Sequence, residues 1–359
     1  MALHVRGVVL PDDEVRDLWL VGDRVTLTPV PGAVTIADGG FVLPGLVDAH
    51  CHIGIAPGGG PVGSLDEARE LAAIDRDAGV LAIRDAGSPY PYPELDDSPE
   101  LPRLARAGQH IAPVRRYLPD IGLEVAAADV PATVAAQARA GNGWVKLVGD
   151  WIDRDAGDLT PAWDADTLTA AVRAAHDAGA RAAVHTFSES AVEIMVRAGV
   201  DSVEHGTGLS VDLVDEMARR GTALVPTMLN IGTFGGIAER ARVKFPGYAK
   251  HMLALRDGFP HVVRAAYEAG VRIYVGTDAG GGIDHGMAAR EMLLLHTSAG
   301  MSTSDVLAAG SWGAREWLGF PGLVEGGLAD LVVYGADPRL DLRVIEAPER
   351  IVLRGRVLL

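Results

Sequence analysis

Seven times along the middle of the chain, a helical pattern closes on a glycine and a short apolar, β-branched run follows. The glycines are Gly79, Gly108, Gly141, Gly179, Gly199, Gly221 and Gly270, at the place just past a helix end where the backbone usually turns left-handed. The runs cover residues 80–85, 110–114, 144–147, 180–185, 200–205, 222–227 and 271–278, and the run ending at His52 makes eight. Apolar strands alternating with helices pair in parallel and are buried on both faces. Eight such units predict an α/β fold, a (β/α)8 TIM barrel over residues 44–323. A doubly wound open sheet is the competitor, but no glycine-rich nucleotide loop follows the first strand to support it.

The two ends of the chain read differently. Residues 1–43 alternate polar and apolar in short pieces broken by Pro11-Asp12-Asp13, Gly22-Asp23 and Pro31-Gly32, and residues 324–359 do the same around Gly335-Ala336-Asp337-Pro338. Such pieces predict antiparallel strands. Pairing them into one small β-sandwich domain covers their edges. The 32 basic and 48 acidic residues give a formal charge of -16, a field that repels nucleic acid. One cysteine leaves no internal disulfide framework. The N-terminus lacks a signal peptide's pattern, and no apolar run approaches the roughly 20 residues of a membrane span. A cytoplasmic protein acting on a small molecule is expected, with homo-oligomer formation open.

Functional side chains in such barrels gather at the C-terminal ends of the strands. Those ends carry His50 and His52, then Lys146, His185, His205 and Asp278. His50 and His52, two apart on a strand, project to one side and can grip one metal, while Cys51 points away. In 183–185 and 203–205 the same alternation puts His185 and His205 inward and turns Val184 and Glu204 outward. Four histidines, a carboxylate and an inward lysine do not make a packing set; they predict a metal centre. Lys146 has two readings, a paired ammonium or a carbamate formed with CO2, whose oxygens could bridge two metals.

Together these stretches resemble the amidohydrolase superfamily, in its binuclear branch of prolidase-like dipeptidases and imidazolonepropionase-like enzymes. The matching segments are residues 43–52, 145–147, 183–185, 198–207 and 276–280, with 328–333 matching the strand that returns to that family's small β domain. The resemblance implies that His50, His52 and Asp278 hold one metal, His185 and His205 a second, and a carboxylated Lys146 bridges them. Zinc is the expected ion, with manganese or cobalt as substitutes.

Hydrolysis of a C–N bond follows as the expected activity. Metal-activated hydroxide attacks the carbonyl, and Asp278 carries the proton to the departing nitrogen. A lactone, ester or cyclic amide fits the same site, and decarboxylation or deamination are more distant alternatives. For substrate contacts the sequence offers Arg115, Arg116 and Tyr117 after the third strand, Trp151, and His285. Arginine suits a carboxylate, although such arginines also simply solvate loops, and His285 could equally start a helix in solvent. Residues 228–258, with Gly235-Gly236 as a hinge, fit either a lid over the barrel mouth or an extra helix.

Overall fold

The computed structural model describes residues 1–359 apart from residue 91. Four strands come first: β1 (Leu3–Val9), β2 (Glu14–Val21), β3 (Arg24–Thr26) and β4 (Val34–Pro44). Strands and helices then alternate through β5 (Leu46–Cys51), α1 (Leu65–Asp77), β6 (Val80–Asp85), β7 (Arg103–Arg106), β8 (Ile111–Pro113), β9 (Leu123–Val125), α2 (Val130–Ala140) and β10 (Trp144–Val148). A hairpin of β11 (Asp150–Asp153) and β12 (Asp158–Pro161) precedes α3 (Ala165–Asp177), β13 (Arg181–Thr186), α4 (Glu189–Ala198), β14 (Ser202–His205), α5 (Val211–Arg220) and β15 (Ala223–Val225). Helices α6 (Met228–Gly232), α7 (Phe234–Ala241), α8 (Pro246–Glu268), α9 (Ala288–Thr297), α10 (Thr303–Gly310) and α11 (Trp312–Leu318) follow. The last strands are β16 (Leu331–Tyr334), β17 (Arg350–Leu353) and β18 (Arg356–Val357).

Local chemistry explains the punctuation. Ser64, Asp164, Ser188, Ser210 and Ser302 each accept a backbone N–H in the first turn of the helix they precede, satisfying donors a helix start leaves free. Of the seven glycines, all but Gly141 have positive φ.

Two parallel sheets form the middle of the chain, β5-β6-β7 and β15-β14-β13-β10-β8, with β9 at the outer edge of the second. The third predicted run, 110–114, contains β8 alone; β7 lies before Gly108, where the sequence pattern suggested a helix, and Gly108 with φ 70° turns the chain between the two strands. The eighth run forms only bridges: Ile273 with Leu224 and Ala279 with Cys51. Its backbone still bonds both neighbours, Tyr274 N to Leu224 O at 3.0 Å and Asp278 N accepted by His50 O at 2.7 Å. The arrangement is a TIM-barrel-like α/β fold. One cluster of small side chains, including Ala49, Ala82, Ala105, Ala183 and Ala223, packs with Trp144 and Tyr274.

The terminal strands join in one seven-stranded sheet, β18-β17-β16-β4-β1-β2-β3, where the sequence suggested a two-layer sandwich. Strand β16 runs antiparallel to β4 with Leu331 opposite Pro44, so both ends of the chain share a single ladder. Its own apolar cluster includes Val5, Leu18, Leu20, Leu331 and Val352. No helix among the described residues is long and apolar enough to cross a membrane.

Candidate metal centre

Strand β5 delivers His50 and His52, whose Nε2 atoms lie 3.2 and 3.0 Å from the same Asp278 oxygen, Oδ1. Their other nitrogens are engaged: His52 Nδ1 meets Gly87 O at 2.8 Å and His50 Nδ1 meets Glu204 Oε2 at 2.6 Å. That pinning leaves both Nε2 atoms free to face inward, as in histidines that ligate metals. Lys146 Nζ is 3.3 Å from His50 Nε2. On the next strands His185 Nδ1 faces His205 Nε2 at 3.0 Å, and His205 Nδ1 meets Thr227 Oγ1 at 2.7 Å. Cys51 is turned the other way, its sulfur close to Asp75 and His285.

Burial and neighbouring charge set the protonation states. Burial, with the positive Lys146 nearby, pushes His185 down to about 3. The same effect of burial, reinforced by His185, holds His205 well below the usual histidine range. Burial lowers Lys146 to about 8 against the pull of Glu204 and Asp278. Asp278 would be raised by burial, but His50 and His52 outweigh that and keep it ionised. The neutral imidazoles of His185 and His205, the rings of His50 and His52, an amine with a lowered pKa and a carboxylate, linked by hydrogen-bond-length contacts, are a donor set that fits divalent metal. His50, His52 and Asp278 offer ligand atoms all within 4.8 Å of one another.

Three strand ends depart from regular extended backbone. His205, Thr227 and Asp278 have φ of 68°, 50° and 61°, a region that disfavours residues with a Cβ. The turn at His205 breaks the alternation read from 203–205. Glu204 does not face outward: it is fully buried between His50 and Arg84, with Arg84 Nη2 at 2.7 Å from Oε2. Burial raises its pKa, but Arg84 and His50 outweigh that and hold it well below the carboxylate range.

A cavity of about 750 Å³ opens over the histidines. Of the residues offered for substrate contact, Tyr117 and Trp151 line it, and Arg115, Arg116 and His285 do not. Arg115 is exposed. Arg116 instead ties the β11–β12 hairpin together, donating from Nη2 to Trp151 O, Thr160 O and Thr160 Oγ1 at 3.0, 3.1 and 2.8 Å. His285 pairs with buried Asp75 at 2.7 Å. Asp150 is buried and accepts the N–H groups of Phe187 and Ser188. Residues 228–258 are helical, and α6 and α7 contribute Asn230, Phe234 and Ile237 to the cavity wall.

A further histidine escaped the sequence reading. His110 is fully buried beside His52, ring centroids 4.9 Å apart, with neither nitrogen hydrogen-bonded among the described residues. Burial and His52 keep it well below the usual histidine range. Gly87 leaves its room, since a Cβ there would meet His110 Nδ1 at 2.9 Å. The missed signal was register: Ile111 pairs with Leu147, so His110 lies level with Lys146.

A barrel-like α/β fold with histidines, lysine and aspartate converging at the strand ends defines a class of hydrolase. The chain belongs to the amidohydrolase family, whose sequence profile matches residues 133–357, a family that generally binds divalent metals. It is 49% identical over 355 residues to uncharacterized proteins of Mycobacterium tuberculosis and Mycobacterium bovis, covering 99% of this chain and 95% of theirs. Among solved structures it resembles a Xaa-Pro dipeptidase with methionine bound in its active site (TM-score 0.82, 22% identity, 99% of both chains). A prolidase complexed with N-methylphosphonate-L-proline matches at TM-score 0.82 and 19% identity, over 100% of this chain and 99% of the other. A. niger ochratoxinase follows at 0.80 and 17%, over 99% and 95%.

Proposed function

We propose that this protein is a metal-dependent amidohydrolase cleaving an amide or peptide-like C–N bond of a small substrate, on a closed (β/α)8 domain of residues 44–323 with a small β domain of residues 1–43 plus 324–359 built on the seven-stranded sheet. The observation that carries this reading is the convergence of His50, His52 and Asp278, the two Nε2 atoms meeting one carboxylate oxygen. His50, His52 and Asp278 would hold one divalent ion, zinc by preference, and His185 and His205 a second. Lys146, with a pKa lowered to about 8 by burial, has amine available to add CO2, releasing a proton, and the carbamate would bridge the pair. When bound, the metal supplies Lewis acidity, polarising a carbonyl and acidifying water.

The chain's own residues do the rest. Asp278, ionised and facing both histidines, takes a proton from attacking water and returns it to the departing nitrogen. His110, neutral, buried beside His52 and without a hydrogen-bond partner among the described residues, would have an N–H to give to the carbonyl oxygen as charge develops there. Glu204 fixes His50 through Nδ1, and Thr227 fixes His205. Phe187 packs against both His185 and His205, at 4.4 and 4.9 Å between centroids, and limits water at their faces.

The test is a hydrolysis screen of zinc-loaded protein against dipeptides, N-acyl amino acids, cyclic amides and lactones, before and after chelation. Amine release that chelation abolishes and zinc restores is expected. Turnover confined to lactones would move the reading to ester hydrolysis, and chelator-insensitive turnover would refute it.

A further inference from the structure

Three charged side chains line the cavity over the histidines: Lys146, Asp278 and Arg240. The first two belong to the candidate metal centre. Arg240 stands apart, near the end of α7, and among the described residues it has neither a hydrogen bond nor an ion pair, whereas its helix neighbour Glu239 is paired with Arg242. In a chain of formal charge -16, an unpaired arginine on the wall of an active-site cavity is the opposite of what the overall field supplies.

The helix is built to present it. Thr233, Gly236, Ile237 and Arg240 all line the cavity, the i, i+3, i+4, i+7 spacing of a single helical face. A Cβ at Gly236 would sit 3.4 Å from Arg240 Nη1, an ordinary contact, so the guanidinium lies back along the helix to the level of Gly236.

Distance then restricts the substrate. Phe234 packs on Phe187 at 4.8 Å, and Phe187 packs on His185 and His205. Arg240 is carried on the same helix as Phe234, with its guanidinium turned back to the level of Gly236, so two aromatic rings, Phe187 and Phe234, stand between this helix and His185. An α-carboxylate directly beside a scissile amide would sit on the metal side of that apolar wall. Resting on the amide-hydrolase reading above, we propose that Arg240 is a specificity-determining residue that anchors a substrate carboxylate separated from the scissile carbonyl by the Phe187–Phe234 aromatic layer. The substrate class is an amide whose acyl or amine arm carries a remote carboxylate beyond an apolar segment.

The probes are p-nitroanilides of glutaric and suberic acid, each with its terminal carboxylate free or converted to carboxamide. They are presented to the zinc-loaded wild type and to R240Q and R240K. Release of nitroaniline reads hydrolysis. Quenching of tryptophan emission by the nitroanilide reads binding and needs no turnover. The suberyl acid is expected to bind about 10-fold more tightly than its carboxamide, the worth of one charge-assisted contact, with the gain appearing in KM and smaller for the shorter glutaryl acid. R240Q should erase the difference between acid and carboxamide, and R240K should keep part of it. Acid and carboxamide binding alike, neither binding, or a difference that survives R240Q would overturn the anchor. Equal hydrolysis of acid and carboxamide would remove Arg240 while leaving the amide reading in place. Arg240-dependent binding without nitroaniline release would keep the anchor and count against the amide reading.

Discussion

Replacing Glu204 with glutamine changes one charge and almost no volume, at the point where the fold and the candidate site are joined. Glu204 receives Arg84 Nη2 at 2.8 and 2.7 Å on its two oxygens and lies 2.6 Å from His50 Nδ1. Arg84 and Glu204 are buried to within 1%. Removing one partner of a buried pair costs about 3–5 kcal/mol, because the remaining charge has no water to turn to. The Arg84 guanidinium stacks on Trp144 at 4.6 Å, which softens that loss toward the lower figure. For a chain of 359 residues, the unfolding entropy is about 0.75 kcal/mol per degree, so Tm of the chelated E204Q protein should fall by about 4–7 °C. Separately, His50 loses the acceptor that orients it, and zinc affinity should fall about 10- to 100-fold. The double variant R84M/E204Q separates the two effects. With no unpaired charge left it should recover most of the Tm, while zinc affinity stays low because His50 is still unsupported. Scanning calorimetry and competitive zinc titration measure both. A Tm within 1 °C of wild type in E204Q, or zinc affinity restored together with stability in the double variant, would refute the coupling.

Other expectations follow from single contacts. Burial, against the N–H groups of Met228 and Leu229, raises Glu291 to about 8. The folded protein therefore keeps a proton that the unfolded chain releases near the ordinary glutamate value. Stability should fall as pH rises from about 4.5 to 8, and E291Q should flatten that slope in urea titrations at several pH values. H110F removes two unpaired buried nitrogens, so Tm should hold or rise while kcat drops about 100-fold; an unchanged kcat excludes His110 from the chemistry. R116M should loosen the hairpin carrying Trp151 and raise KM for charged and neutral substrates alike, about 3- to 10-fold for a lost set of hydrogen bonds. A KM effect confined to acidic substrates would return Arg116 to the role of carboxylate ligand.

Much of the architecture is legible because helices and strands announce themselves locally. The His-x-His pair, the lysine and the two later histidines needed only strand parity and the rule that sites form at one end of a parallel barrel. The pair holds its geometry even though the register of β5 against β6 shifts between Asp48 and Cys51. Partners distant in sequence were not legible. His285 looked available until Asp75, 210 positions away on α1, took its Nδ1. Arg116 looked like a ligand for substrate until the hairpin 35 to 44 residues on used its donors. Arg240 was overlooked for the opposite reason, since an arginine in a helix has no local mark that it lacks a partner.

The deepest misreading, Glu204, shows where pattern reasoning stops working. Glycine marks the entry to six of the inner runs through positive φ, and there the left-handed turn is relaxed, so selection for foldability writes it openly into the sequence. At the opposite ends the same left-handed conformation recurs at His205, Thr227 and Asp278, but a glycine there would remove the side chain for which the turn exists. Strain of about 1–2 kcal/mol per residue is retained instead. The turn at His205 lets two successive residues, Glu204 and His205, both address His50, something a regular strand forbids: Glu204 touches its Nδ1, and the His205 ring lies 5.1 Å from its own. A period-of-two reading is therefore reliable along each strand and fails within one residue of its functional end. At that end, buried polar residues next to a proposed ligand deserve to be read as inward-facing whatever their parity.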